Sequence, residues 1–271
     1  MLYERIKQVV CKIVKKNQIQ SPIIQIILNT SLSEKEKIIQ ISGILRSLPF
    51  IRKKQDKSFI VSRLSAFLKK YCLVKYPIIA DIGGGNGLIV RDIGKTIHLP
   101  KENLYCIEPL QPWCEPYPFS YQQEIQYIFW DNERIPVVKD HSLDIVLMIV
   151  SLHHMTKETM SNLLNNLSRL CKLGSIVIIK EHNCMTEEDR YVIDWEHHLY
   201  HITTHPIFDE SGYQQYKESI CHQFQRKTEI DTQMEQRGFE SLLELNRLFE
   251  VTEDKNNPTN LYWKIYKYVK N

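Results

Sequence analysis

Seven consecutive residues, Asp81-Ile82-Gly83-Gly84-Gly85-Asn86-Gly87, close a short apolar run and open a helical pattern at Leu88. Glycines at 83, 85 and 87 permit positive backbone angles and let a ligand approach the main chain closely. Their spacing departs from G-x-G-x-x-G, the dinucleotide fingerprint, which argues against nicotinamide or flavin chemistry. A glycine turn alone also suits a purely steric role, so its neighbours must decide. Glu108 ends the next apolar run, 25 residues after Gly83. An acid there can accept two hydrogen bonds from ribose hydroxyls. Asp131 and Asn132 end a third run and could meet an adenine amino group. Ser151-Leu152-His153-His154 end a fourth, and Lys180-Glu181-His182 a fifth. Either histidine after the fourth run could serve as a base or hold an acceptor, or could simply bond loop backbone. Glu181 and His182 would face the acceptor pocket.

The runs that must carry these residues are PIIADIG, LYCIEP, IQYIFWD, LDIVLMIVS and SIVIIKEH. Helical material separates them; NLLNNLSRLCKLG reads as a helix stopped by Gly174. Strands alternating with helices imply an α/β fold, with a parallel sheet covered by helices on both faces. Ligands bind such sheets at the carboxyl ends of the strands, where all these residues fall. FESLLELNRLF and NLYWKIYKYV, joined by a DKNNP turn, read as two further strands closing the sheet. MTEEDRYVIDWEHHLYHIT reads as a helix.

The glycine loop, Glu108, Asp131 and LDIVLMIVSLHHM resemble the class I S-adenosylmethionine-dependent methyltransferases over about residues 76–182. The resemblance implies a Rossmann-like sheet and S-adenosyl-L-methionine as cofactor. Gly83, Gly85 and Gly87 would surround its methionine part, Glu108 would hold its ribose and Asp131 with Asn132 its adenine, and Asp81 would also belong to the cofactor site. Ser151 and His153 would border the reactive methyl. A narrower resemblance rests on Ile179-Lys180-Glu181-His182-Asn183-Cys184 and on Asp194-Trp195-Glu196-His197-His198-Leu199-Tyr200. These stretches are similar to methyltransferases of large cytoplasmic DNA viruses, including that of a viral mRNA-capping enzyme. They depart from that pattern at Lys180, where Arg is usual, and at Asn183, where Asp is.

Several acceptors fit. Guanine N7 offers a lone pair and needs no base, whereas a ribose hydroxyl must lose a proton, commonly to a lysine within a Lys-Asp-Lys-Glu set. That set is absent from the sequence, so mRNA cap guanine-N7 methylation is the first expectation. A small-molecule methyltransferase is the alternative, and a non-catalytic RNA-binding subunit keeping the fold is a third. His153, Glu181 and His182 are the catalytic candidates. Lys180, His197 and Tyr200 would contact the acceptor. His197 and His201, four apart on one helix, lack an identifiable third ligand, so no metal site is expected.

Residues 1–75 hold 16 Lys and Arg against 4 Asp and Glu, and the remainder 19 against 28. Such segregation attracts polyanions. Arg52, Lys53 and Lys54 lie in its densest stretch and would contact RNA phosphates, with capped mRNA and other capping-enzyme domains as partners. Trp113, Tyr117 and Phe119 could stack on a base. The expected organisation is a basic helical extension over 1–72 and a methyltransferase domain over 73–271. SLSEKEKIIQISGIL offers two capping options there, Ser31 with Glu34 or Ser33 with Glu36. Seven cysteines without a C-x-x-C pair suggest reduced, mostly buried thiols. No apolar run nears the roughly 20 residues that span a bilayer, and the opening residues lack a secretory signal's apolar core. A cytoplasmic, membrane-free protein is expected.

Overall fold

Alternating apolar side chains put one row of each central strand on either face of a sheet, and all five expected strands form. They are β1 (Ile79–Ile82), β2 (Leu104–Pro109), β3 (Gln126–Trp130), β4 (Leu143–Ile149) and β5 (Cys171–His182). Two more, β6 (Phe239–Ser241) and β7 (Leu261–Tyr268), complete a seven-stranded sheet of order β3-β2-β1-β4-β5-β7-β6. The pairs β1–β2, β2–β3, β1–β4 and β4–β5 are parallel, and β6–β7 is antiparallel. The chain winds outward from β1 to β3 and then restarts at β4 on the other side. That reversal opens a crevice beyond the carboxyl ends of β1 and β4. The computed structural model describes residues 1–14, 17–46, 57–109, 123–136, 138–219, 223–243, 245–246 and 257–270. Arg52, Lys53, Lys54, Trp113, Tyr117 and Phe119 lie outside the described residues, as does most of the DKNNP turn.

The helices are α1 (Leu2–Ile13), α2 (Asn17–Leu28), α3 (Glu34–Arg46), α4 (Ser58–Tyr71), α5 (Leu88–Ile97), α6 (Lys157–Leu170), α7 (Glu187–Thr204), α8 (Glu210–Ser219) and α9 (Lys227–Glu235). They divide between two compact units. One holds α1, α2, α3, α7 and α8; the other holds the sheet with α4, α5, α6 and α9. This partition differs from an extension ending at residue 72. Val61, Leu64, Phe67 and Leu68 of α4 pack with Ile79, Ile145, Ile178 and Trp263 of the sheet. Conversely, Val192, Trp195, Leu199 and Ile202 of α7 share a core with Ile6, Val9, Val10, Ile23 and Ile38. An apolar stripe records that a helix is covered without recording by what.

Both sheet faces are covered. Met160, Leu163 and Leu167 of α6, with Ile230 and Met234 of α9, bury the row Ile82, Met148, Val177 and Ile179. The opposite row meets α4 and α5. Two sequence expectations need correction. Helix α6 ends at Leu170, and Gly174 instead lies within β5 at φ 85°, beside a register shift between Leu143 and Ile145. The strand expected over FESLLELNRLF is only three residues long. Of the two capping options, Ser33 and Glu36 form the reciprocal pair: Ser33 N–H donates to Glu36 Oε2 at 2.7 Å, and Glu36 N–H to Ser33 Oγ at 3.3 Å. Ser31 instead donates to Asn29 Oδ1.

Candidate active site

The loop after β1 is built around contacts that only glycine tolerates. Gly83 extends the ladder by donating its N–H to Ile107 O at 2.8 Å, and it does so at φ 68°. A Cβ on Gly83 would stand 2.5 Å from Ser151 Cβ. One on Gly84 would meet the Asp81 carboxylate at 2.6 Å. Loop and strand end are therefore packed backbone to side chain, and both Asp81 and Ser151 press against the glycines. Gly85 and Gly87 also carry positive φ. Tyr127 of β3, a residue the sequence did not mark, donates its hydroxyl to Asn86 O at 2.5 Å and pins the loop from the side.

Two acids flank this turn. Asp81 is 1% exposed, and neither carboxylate oxygen has a hydrogen-bond partner among the described residues. Burial pushes its pKa up to about 7, with the Lys57 ammonium opposing and the Glu108 charge adding to the rise. Glu108 accepts the Gly85 N–H through Oε1. Between them, Cys106 Sγ lies 3.6 Å from Gly85 O and 3.8 Å from Glu108 Oε1. Burial first, then the two acids, hold that thiol well above its ordinary pKa. Asp131 is exposed and caps its own turn, accepting Glu133 N–H at 3.1 Å. Asn132 adopts φ 74°, and its carbonyl accepts from Asn162 at 2.8 Å.

The end of β4 is strained. Val150 has φ 55°, a conformation costly for a β-branched residue. Its N–H is held by Lys180 O at 2.7 Å. Such outliers persist only where their surroundings over-determine them. Here the turn carries Ser151, whose Oγ donates to Ile82 O at 3.0 Å, and His153. Glu181 fixes the turn from β5. Its Oε2 accepts Leu152 N–H at 2.9 Å and His153 N–H at 3.3 Å, while Oε1 lies 2.7 Å from His153 Nδ1. An ionised carboxylate only accepts, so this partner assigns the proton to Nδ1 and the neutral ring's lone pair to Nε2. Both side chains are buried. The His154 ring lies 4.0 Å from that of His153.

Lys180 emerges on the other sheet face, its ammonium 5.0 Å from the centre of the Trp263 ring; the Arg63 guanidinium lies 5.1 Å from that ring. His182, His197 and Tyr200 belong to the helical unit. There the His182 and His197 rings sit 5.5 Å apart, edge to face, with Phe224 beside both. His182 Nδ1 meets Thr259 O at 2.9 Å, and His197 Nδ1 meets Ile193 O at 2.8 Å. Burial raises the pKa of the Tyr200 phenol. His201 packs instead on Tyr216, with ring centres 4.3 Å apart. Burial, helped by His205 and His198, lowers its pKa to about 4.

Residues 80–179 match the family model described as a methyltransferase domain. No curated protein matches the chain by sequence. Among solved structures, a chain from the complex of the Trm112 methyltransferase activator with a methyltransferase of Haloferax volcanii has TM-score 0.50 and 12% identity; the alignment covers 80% of this chain and 92% of that one. The CurJ carbon methyltransferase has TM-score 0.51 and 11% identity, covering 96% of this chain and 70% of that one. A protein from Galdieria sulphuraria, provisionally assigned as a sarcosine dimethylglycine methyltransferase, has TM-score 0.51 and 11% identity, covering 79% and 86%. At such identities the likeness establishes the fold. No helix among the described residues is long and apolar enough to cross a membrane.

Proposed function

We propose that the chain, whose residues 80–179 match a methyltransferase domain, is a class I S-adenosylmethionine-dependent methyltransferase that methylates a small acceptor which must surrender a proton, with His153 as the base. S-adenosylmethionine supplies a methyl carbon on a sulfonium and leaves as a neutral thioether. The residues fit that donor: its ammonium answers the orphaned Asp81 carboxylate, and the glycine turn leaves room for its amino-acid end. Glu108 and the Asp131–Asn132 turn are assigned to its ribose and adenine.

The observation that carries the reading is the buried Glu181–His153 pair at 2.7 Å. With Nδ1–H donated to Glu181, His153 would take the acceptor's proton at Nε2, and the carboxylate would stabilise the imidazolium that results. Guanine N7 would need no such base, so a buried His–Glu pair favours an acceptor that must lose a proton. That the same fold serves a carbon methyltransferase and a sarcosine dimethylglycine methyltransferase also favours a small acceptor over a capped RNA.

The test is transfer of a labelled methyl group to sarcosine, to catechol and to capped RNA. His153→Ala should lower kcat by about 10²–10⁴-fold, with donor affinity by calorimetry unchanged. Transfer to capped RNA alone, indifferent to His153→Ala, would return the cap guanine-N7 reading to first place.

A further inference from the structure

Strand β7 presents Tyr262, Lys264, Tyr266 and Tyr268 on one face, and they have different fates. The Tyr266 hydroxyl donates to Asp231 Oδ1 at 2.6 Å, and Lys264 Nζ to Asp231 Oδ2 at 3.0 Å. Tyr262 is 6% exposed, yet no described residue offers its hydroxyl a hydrogen bond. A buried hydroxyl without a partner is costly and uncommon in a native protein. Its place in the fold says what could supply the partner. Strand β7 begins beside the end of β5, where Asn183 N–H donates to Asn260 O at 2.9 Å. Tyr262 belongs to the same buried cluster as Leu152, Met155 and Ile179, and Glu181, two residues after Ile179 in β5, falls on the same side of that strand. The charge of Glu181 reaches the phenol: burial, then Glu181 and Asp231, keep it well above its ordinary pKa. At neutral pH the hydroxyl is therefore a proton-bearing donor. The Lys227 ammonium lies 5.4 Å from the centre of the Tyr262 ring and adds positive charge beside it.

We propose that the Tyr262 hydroxyl recognises the methyl acceptor by donating a hydrogen bond to one of its oxygens, a carboxylate oxygen foremost. The inference rests on the reading that the acceptor binds at the His153–Glu181 end of the sheet, and it names the chemistry of that acceptor. An unpaired donor beside an ammonium selects an electron-rich oxygen and rejects an isostere that presents an amine.

The experiment uses the full chain saturated with S-adenosylhomocysteine, with benzoate as probe and benzylamine as control, titrated by calorimetry into wild type and Tyr262→Phe. Benzoate should bind the variant about tenfold more weakly, benzylamine should not distinguish the two proteins, and the ligand-free variant should melt no lower than wild type. Unchanged benzoate affinity overturns the proposal. A raised Tm would then mean a merely tolerated hydroxyl, and a lowered Tm one satisfied by internal water. Failure of benzoate to bind wild type overturns it as well. Methyl transfer separates the two levels of the argument. If Tyr262→Phe turns over with an unaltered acceptor KM, only this inference falls; if wild type transfers to no small acceptor, the proposed function falls.

Discussion

Asp81 and Glu181 are both buried acids, but their surroundings give them opposite roles. Glu181 is held in place by three contacts, from Leu152 N–H, His153 N–H and the His153 ring. Asp81 receives no hydrogen bond among the described residues, and burial pushes its pKa up to about 7. Its folded pKa lies above its unfolded one. The unfolded chain therefore sheds this proton near pH 4, while the folded chain retains it until about pH 7. Ligand-free stability should fall as pH rises through that window, by an amount of order 4 kcal/mol at full effect. Asp81→Asn should consequently raise Tm at pH 8 by clearly more than at pH 5, which thermal melts at the two pH values will show. The same variant should bind S-adenosylmethionine more weakly at pH 8. For wild type below pH 7, donor binding should release a proton, visible as a dependence of calorimetric heat on the buffer's ionisation enthalpy. Glu181→Gln tests the other acid. It keeps the shape but weakens support for the imidazolium, so the acid limb of the kcat profile should move to lower pH. An unmoved limb would make Glu181 a clamp on the turn alone.

Among the elements, the loop after β1 and the turn after β4 are one packed object rather than two neighbours. Gly83 and Ser151 meet where a single added methyl group has 2.5 Å of space. Gly83→Ala should cost several degrees of Tm and at least tenfold in donor affinity, through the clash and through the positive φ together. Adding Ser151→Gly should recover part of both, because it removes the clash and leaves only the backbone term. Melts and donor titrations of the two singles and the double will reveal this non-additivity. Strictly additive losses would show that the two turns do not act together. The sequence made the five strands readable, since period-two apolar runs ending in Gly83, Glu108, Asp131, Ser151 and Glu181 leave little else to build. Their partnerships were less readable. Glu181 meets His153 only because β4 and β5 pair with Ile149 opposite Lys180, and a run of residues does not state its register. Tyr262 looked like any aromatic in a strand. Its missing partner is visible only once Asp231 is seen bonded to Tyr266 and Lys264 instead.

At the scale of the molecule, neither unit is continuous in sequence. The helical unit takes α1–α3 from the start of the chain and α7 and α8 from the stretch after β5. The expected organisation, a basic helical extension over 1–72 and a domain over 73–271, differs from the grouping of the contacts. Instead α1 lies on α7: Arg5 pairs with Asp189 at 2.9 Å and with Glu188 at 3.2 Å, and Lys12 pairs with Glu196 at 2.5 Å. Around them, Val192, Trp195, Leu199 and Ile202 are almost wholly buried. A chain starting at residue 55 would return these four side chains to water, at roughly 1.5–3 kcal/mol each. It would also strand Asp189 and Glu196 without their cations. Such a chain should aggregate or bind a hydrophobic dye, and hydrogen exchange in α7 should be fast while β1 and β4 stay protected. The sheet has its own two cores, made by α4, α5, α6 and α9, so donor affinity in any soluble fraction should survive within about tenfold. Uniformly fast exchange across sheet and α7 alike would mean that the two units fold as one cooperative body. The first 54 residues would then stabilise the catalytic half as much as their own.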